Sequence, residues 1–264
     1  MKIDLRKGDC IEHLKTIPSN SIDLVLCDIP YGTTACKWDT IIPFEQMWEQ
    51  LKRVRKDNTA ILLFGSEPFS SNLRMSNMSE LKYDWIWDKK RVSNPMLAKK
   101  MPLKNYEIIS VFYKQQPTYN PQPTQKSTGK GMSNKGHNET HETETTGSSK
   151  LVTRRDYTDV GYPKMLLTEI KVINNLTTDR AGLHPTQKPI ELNEYLIKTY
   201  TDEGMTVLDF TMGAGACAVA SVNTNRNFIG IELDENYFNI SLKRVEEKRK
   251  EKEFNLITSF GDGM

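Results

Sequence analysis

The sequence predicts an α/β fold in which a mostly parallel sheet is covered by helices on both faces. Short β-branched apolar runs alternate with helix-length segments along most of the chain. Two of those runs end in a carboxylate that is followed at once by a turn rich in proline or glycine. With 264 residues, 37% of them hydrophobic and 27% charged, the chain can bury a substantial core.

Taken in order, the strand candidates are "SIDLVLCD" (21–28), "TAILLFG" (59–65), "YDWIWDK" (83–89), "EIISVFYK" (107–114), "MTVLDF" (205–210) and "NFIGIEL" (227–233). Helices are expected over Pro43–Arg55, Pro189–Tyr200 and Gly215–Asn223, and from Asn236 onward. The connection between "YDWIWDK" and "EIISVFYK" has little helical pattern, so an antiparallel pair is open there. Residues 115–150 carry almost no large aliphatics and are rich in Pro, Thr, Ser, Asn, Gln and Gly. Burial cannot offset the ordering entropy of such a stretch, which reads as a long loop or insertion that a partner would order. Inside it, "HNETH" sets His137 and His141 four apart but lacks both a helical pattern and the glutamate placement of a zincin, so no metal site is expected. The segment "KRVEEKRKEKE" (243–253) reads as a solvated helix face with i,i+4 charge pairs.

Composition narrows the functional classes. Cys10, Cys27, Cys36 and Cys217 form no C-x-x-C pair, which argues against a zinc site and fits a reducing compartment. No run approaches the roughly 18 apolar residues of a membrane span, and "MKIDLRKGDC" lacks the apolar core of a secretory signal; a cytoplasmic protein is expected. A net charge of +2 does not demand a polyanionic partner, so any nucleic-acid contact must come from local clustering, which exists between Lys89 and Lys104.

Two motifs carry chemistry. In "VLDFTMGAGACAVA" a strand ends at Asp209, and a turn with Gly213 and Gly215 opens a helix of small residues; Glu232 ends the next strand. Glycines allow close backbone approach, and an acid at the next strand's end can hold both hydroxyls of a ribose. The same turn satisfies G-x-G-x-x-A, so a nicotinamide dehydrogenase is a rival on this motif alone. The second motif, "DLVLCDIPYG", decides against it. In an open parallel sheet, ligands sit outside the carboxyl ends of strands, where Asp28-Ile29-Pro30-Tyr31 would emerge. A carboxylate beside a carbonyl held out by the following proline offers two acceptors to the two donors of an NH2 group. Tyr31 offers a flat face for an aromatic ring taken out of a duplex.

"DIPYG" resembles the D-P-P-Y motif of amino-group DNA methyltransferases, and "DFTMGAGA" resembles their D-P-F-x-G-x-G cofactor motif. The catalytic motif comes first, as in the permuted β class; "HPTQKP" (184–189) and "KGDCIEHLKTIPSNSIDLVLCDIPYG" are similar to two further signatures of that class. "YGTTACKWD" looks like versions found in phage and prophage methyltransferases. The likeness covers the chain outside roughly 115–180, and it departs from the family at Ile29, where proline is usual, and at Phe210-Thr211, where Pro-Phe is usual.

The resemblance implies a Rossmann-like S-adenosylmethionine-dependent methyltransferase fold with a seven-stranded, mostly parallel sheet and a circularly permuted motif order. It implies a catalytic half over 1–114, an inserted target-recognition region over 115–180 and a cofactor-binding half over 181–264. It further implies methyl transfer from S-adenosylmethionine to a flipped base of double-stranded DNA, with Asp28, Ile29, Pro30 and Tyr31 as the catalytic residues. The cofactor side is then Asp9, Cys10, Thr186, Lys188, Asp209, Phe210, Gly213, Gly215, Glu232 and Leu233; Thr186 and Lys188 have a plainer alternative as caps of the helix that starts at Pro189. Lys89, Lys90, Arg91, Asn94, Lys99, Lys100, Arg154 and Arg155 are the DNA-facing candidates, with Lys104 and Asn105 beside them. An Asp-initiated motif favours N6 of adenine over N4 of cytosine. A noncatalytic DNA-binding relative, resting on Ile29, stays open, as do a homodimer and a partner restriction nuclease.

Overall fold

The computed structural model describes residues 1–32, 40–90, 92–122, 124–125, 160–168 and 187–261. They form two units, one of Met1–Asn120 with Lys164–Met264 and one of Pro121–Pro163. In chain order the elements begin β1 (Ile3–Lys7), α1 (Cys10–Thr16), β2 (Ile22–Cys27), α2 (Phe44–Val54), β3 (Arg55–Gly65), α3 (Phe69–Met75) and β4 (Leu81–Asp88). A 3₁₀ turn at Pro95–Leu97 leads to β5 (Tyr106–Phe112), followed by β6 (Thr124–Gln125), β7 (Val160–Gly161) and β8 (Leu166–Leu167). The chain closes with α4 (Ile190–Tyr200), β9 (Thr206–Asp209), α5 (Ala216–Asn223), β10 (Asn227–Glu232) and α6 (Glu235–Gly261).

The large unit holds an eight-stranded sheet in the order β1-β10-β9-β2-β3-β5-β4-β8. The five strands from β1 to β3 run parallel, β5 lies antiparallel between β3 and β4, and β8 pairs parallel with β4. All six expected strands are present. The eight strands include β1 and the two-residue edge strand β8, neither of which the apolar runs announced. The expected antiparallel option for β4 and β5 is realised, since their connection holds no α-helix. In the small unit β6 pairs antiparallel with β7.

The alternation of side chains along each strand feeds two cores. Leu24 and Leu26 of β2 join Val207 of β9, Leu192 and Leu196 of α4, Ala218 and Val222 of α5, and Val245 of α6. Val25 and Cys27 face the other way, toward Leu14 of α1, Met47 and Leu51 of α2, and Leu73 of α3. This double burial explains why β2 and β3 read as nearly continuous apolar runs. Arg53 donates to the carbonyls of Leu14 and Ile17 at 2.7 and 2.8 Å, satisfying the end of α1 and tying it to α2. On α6 the expected charge ladder is present in Lys250–Glu246, at 2.6 Å, and Lys243–Glu247, at 3.9 Å. No described helix is long and apolar enough to cross a membrane.

One feature of the topology places the site. The chain leaves β9 through α5 toward β10, but leaves β2 through α2 toward β3, in the opposite direction across the sheet. Adjacent strands whose continuations diverge open a crevice at their carboxyl ends. Gly215 starts α5 with φ 80°, and a Cβ there would lie 2.8 Å from Ser241 Cβ on α6. Gly215→Ala is therefore expected to lower folding stability by about 1–3 kcal/mol, read as a lower urea midpoint; an unchanged midpoint would show that α6 yields freely.

Candidate active site

The carboxyl ends of β9, β2 and β10 open into a cleft of about 780 Å³. Its walls bring together Asp9, Cys10, Asp28, Ile29, Pro30, Tyr31, Lys188, Asp209, Phe210, Gly213, Glu232 and Leu233, residues drawn from both ends of the sequence. Gly215 does not line it; its conformation and its closeness to α6 give it a structural task instead. Thr186, Arg91, Arg154 and Arg155 lie outside the described residues.

The loop after β2 is held from three sides. The Tyr31 hydroxyl donates to Asp28 Oδ1 at 2.7 Å, and Lys188 Nζ donates to Asp28 Oδ2 at 2.6 Å. The Asp28 carbonyl accepts from Thr211 Oγ1, 3.0 Å away on the turn after β9. The Tyr31 ring is not a free flat surface: it is half-buried and stacks on Phe69 with centroids 5.0 Å apart. Burial, followed by the Asp28 charge, pushes its phenol well above the ordinary range, so it remains a donor. The Ile29 side chain is buried in the core beneath the loop, where the departure from proline is absorbed.

Lys188 lines the cleft with its ammonium between Asp28 and Glu107 of β5, at 2.6 and 3.0 Å, and its side chain is 7% exposed. The rings of Tyr31 and Phe64 flank it at 5.9 and 5.2 Å. Burial alone would lower its pKa, but the two carboxylates reverse this and hold it above the usual range. Glu107 in turn meets Lys89 at 2.6 Å, and those cations keep it below the usual carboxylate range against its own burial. Sequence reasoning missed Glu107. Its one signal is a carboxylate opening an otherwise apolar strand.

The opposite wall is built from acids whose orientation the backbone fixes. Glu232 accepts from the amides of Gly213 at 2.8 Å and Asp234 at 2.7 Å, while burial pushes its pKa up. Gly213, at φ 53°, turns its N–H toward that carboxylate. Asp9 caps α1 through the amide of Glu12 at 3.0 Å while lining the cleft. Asp209 is buried, accepts from the Thr211 amide at 3.2 Å, and is pushed up to about 7, chiefly by burial. Burial pushes the Cys10 thiol to about 12 and those of Cys27 and Cys217 well upward. None of these three is a thiolate nucleophile.

The loop between β4 and β5 emerges at the same end of the sheet and is closed by backbone bonds from Lys89 to Asn105, at 2.7 Å, and from Ser93 to Lys104, at 2.8 Å. Several of its expected DNA contacts are already engaged. Lys89 is paired with Glu107, Lys90 with Asp88, Lys104 with Ser66, and the Asn94 carboxamide accepts from the Lys104 amide. Lys99 and Lys100 remain exposed beside Met96.

The family model described as DNA methylase, of the N6/N4 methyltransferase type, matches residues 22–243, and the chain belongs to that family. S-adenosylmethionine is the methyl donor of these enzymes. The chain is 26% identical over 259 residues to the DNA adenine methyltransferase YhdJ of Escherichia coli (strain K12), covering 90% of this chain and 81% of that protein. Shorter matches, 48% and 41% identical to two curated type II methyltransferases, span only 18% and 26% of those relatives. Among solved structures, PvuII DNA methyltransferase (cytosine-N4-specific) superposes with a TM-score of 0.64 at 15% identity, covering 92% of this chain and 86% of that one. The M1.HpyAVI-SAM complex superposes with a TM-score of 0.58 at 21% identity, covering 92% and 99%.

The raised pKa of Asp209 makes a stability prediction for the ligand-free protein. Between its ordinary 3.8 and about 7, the folded state binds a proton that the unfolded state has released, so stability falls as pH rises through that window. Asp209→Asn removes this contribution, flattening the urea-unfolding free energy against pH by on the order of a few kcal/mol. An identical slope in the variant would refute the assignment.

Proposed function

We propose that this chain transfers a methyl group from S-adenosylmethionine to the N6 amino group of an adenine flipped out of double-stranded DNA. The observation that carries the reading is the shared cleft: Asp28 stands on one wall, and the carboxylate of Glu232 on the other is aimed by two backbone amides. A cleft of about 780 Å³ is within the range of cofactor sites and leaves room for a base beside a nucleoside. The acids and glycines of its cofactor wall suit an adenosine: Glu232 for the ribose hydroxyls, Asp9 for the adenine edge, Gly213 for close approach, Phe210 and Leu233 as apolar lining. S-adenosylmethionine supplies an electrophilic methyl carried on a sulfonium.

The amino nitrogen of a base is a poor nucleophile because its lone pair is delocalised into the ring. Asp28 and the Ile29 carbonyl, accepting its two N–H bonds, draw the nitrogen toward tetrahedral geometry. The carboxylate also stabilises the positive charge that develops there, and no covalent enzyme intermediate is needed. Pro30 fixes the backbone that presents both acceptors. Tyr31, through its bond to Asp28 and its stack on Phe69, holds the carboxylate in place and borders the base. DNA is approached by the β4–β5 loop through Lys99 and Lys100, with Arg91, Arg154 and Arg155 as further contacts and residues 115–180 as the target-recognition region.

The Asp-initiated motif favours adenine, as does the likeness to the adenine methyltransferase YhdJ. N4 of cytosine is the second reading, favoured by the superposition on the cytosine-N4-specific enzyme.

Incubation with S-adenosylmethionine and unmethylated genomic DNA, followed by mass spectrometry of the nucleosides, is expected to yield N6-methyladenine. N4-methylcytosine would move the target, and no methylated base would overturn the reading. Asp28→Ala is expected to lower transfer by at least about 10³-fold with cofactor affinity nearly intact. Parallel loss of both would remove Asp28 from the acceptor role. Thr211→Val, which frees the Asp28 carbonyl, is expected to slow transfer about tenfold at saturating cofactor; an unchanged rate would show that the loop holds itself.

A further inference from the structure

The catalytic wall carries more charge than the acceptor role needs. Asp28 enters the cleft with both oxygens engaged, Oδ1 by the Tyr31 hydroxyl and Oδ2 by the Lys188 ammonium, at 2.7 and 2.6 Å. An incoming amino group must take up a position at this carboxylate and then become cationic. A second cation bonded to the same carboxylate opposes both steps: it competes for the oxygen, and it repels the charge that develops on nitrogen. The structure also holds an alternative seat for that cation. Glu107 Oε2 lies 3.0 Å from the same ammonium, is buried, and otherwise has no hydrogen-bond partner among the described residues. Glu107 is kept ionised and fixed through its other oxygen, Oε1, by Lys89 at 2.6 Å.

Resting on the functional reading above, we infer that Lys188 is a positioning residue with two seats: it neutralises Asp28 in the empty site and transfers its hydrogen bond to Glu107 when the target amino group arrives. Glu107 is the second seat. The buried ammonium never has to meet water, because it already lies within ion-pair distance of both carboxylates and can loosen one bond while keeping the other. While the site is empty, the pair keeps the buried Lys188 ammonium and the partly exposed Asp28 carboxylate from standing unpaired. When the base enters, the positive charge withdraws to a carboxylate that takes no part in the reaction. Tyr31 stays on Oδ1 throughout, so the carboxylate does not turn.

Coupling between Lys188 and Glu107 is tested by whether removal of the lysine rescues a variant that lacks the second carboxylate. In Glu107→Gln the ammonium has a single anionic seat and stays on Asp28; kcat/KM for DNA is expected to fall by at least about tenfold, while the dissociation constant for S-adenosylmethionine stays within about twofold. Glu107→Gln/Lys188→Met removes the competitor along with its seat, and is expected to be several-fold more active than Glu107→Gln alone. Glu107→Asp, which keeps the second anion, is expected to recover part of the loss. Lys89→Met controls for release of the β4–β5 loop: reproducing the full loss of Glu107→Gln would assign that loss to the loop and overturn the inference. A double variant no more active than Glu107→Gln, with cofactor binding intact in both, would overturn it while leaving the methyltransferase reading standing. A wild-type protein that methylates no DNA base under the same conditions would bring down that reading, and the inference with it.

Discussion

The parallel pairing of β2 with β9 is the constraint on which the rest of the site depends. The two strands come from opposite ends of the sequence and share only a short register, Leu24 with Val207 and Val25 with Leu208. Their carboxyl ends are thereby set side by side, and Thr211 Oγ1 closes the gap with a bond to the Asp28 carbonyl. The turn that follows β2 forms one wall of the cleft, and the turn that follows β9 lines it from the other side. Because α2 and α5 carry the chain away in opposite directions, a cleft stays open between the two turns among the described residues. A permuted order of motifs is tolerated for the same reason: the site needs the two strands adjacent, not consecutive.

That geometry creates an electrostatic problem which the surrounding residues solve. Asp28, Asp209 and Glu232 all point into one cleft, and Asp28 and Glu232 each push the pKa of Asp209 upward on top of its burial. Two buried carboxylates and a partly exposed third would be costly if left uncompensated. The structure answers each differently. Glu232 receives two backbone amides, Asp209 accepts from the Thr211 amide and is pushed up to about 7 chiefly by burial, and Asp28 receives the ammonium of Lys188. Only the last of these uses a full opposite charge, and only the last stands where a cation is expected to form. Glu107 follows from that choice, because a buried ammonium with one carboxylate is a poorer arrangement than one shared by two.

The local motifs were legible because they are continuous in sequence. Asp28 to Tyr31, the Gly213–Gly215 turn and Glu232 each sit at the end of an apolar run, and that pattern alone puts them at one edge of a parallel sheet. The strands β1 and β8 were not legible; the first alternates apolar with charged residues at a half-buried edge, and the second is two residues long. Helices α1 and α3, of seven residues each, are too short for a helical period to declare itself. Lys188 was visible as a site residue, but its pairing with both Asp28 and Glu107 was not, because it joins segments far apart in sequence. Glu107 was invisible as a functional residue, since its meaning lies in the pairing of β5 beside β3, and no local pattern encodes which strand will become its neighbour.

The β4–β5 loop shows the same limit from the other side. Read as sequence, it is a cluster of lysines and asparagines suited to a polyanion. In the fold, Lys89 and Lys104 turn inward, Lys90 folds back on Asp88, and Asn94 serves the loop's own backbone, which leaves Lys99 and Lys100 as the outward pair. A basic patch is therefore not a uniform surface. Half of it supports the loop, and through Lys89 and Glu107 that support reaches the ammonium on Asp28. The residues that set the loop's shape and the ammonium that pairs with Asp28 belong to one connected network that runs through Lys89, Glu107 and Lys188.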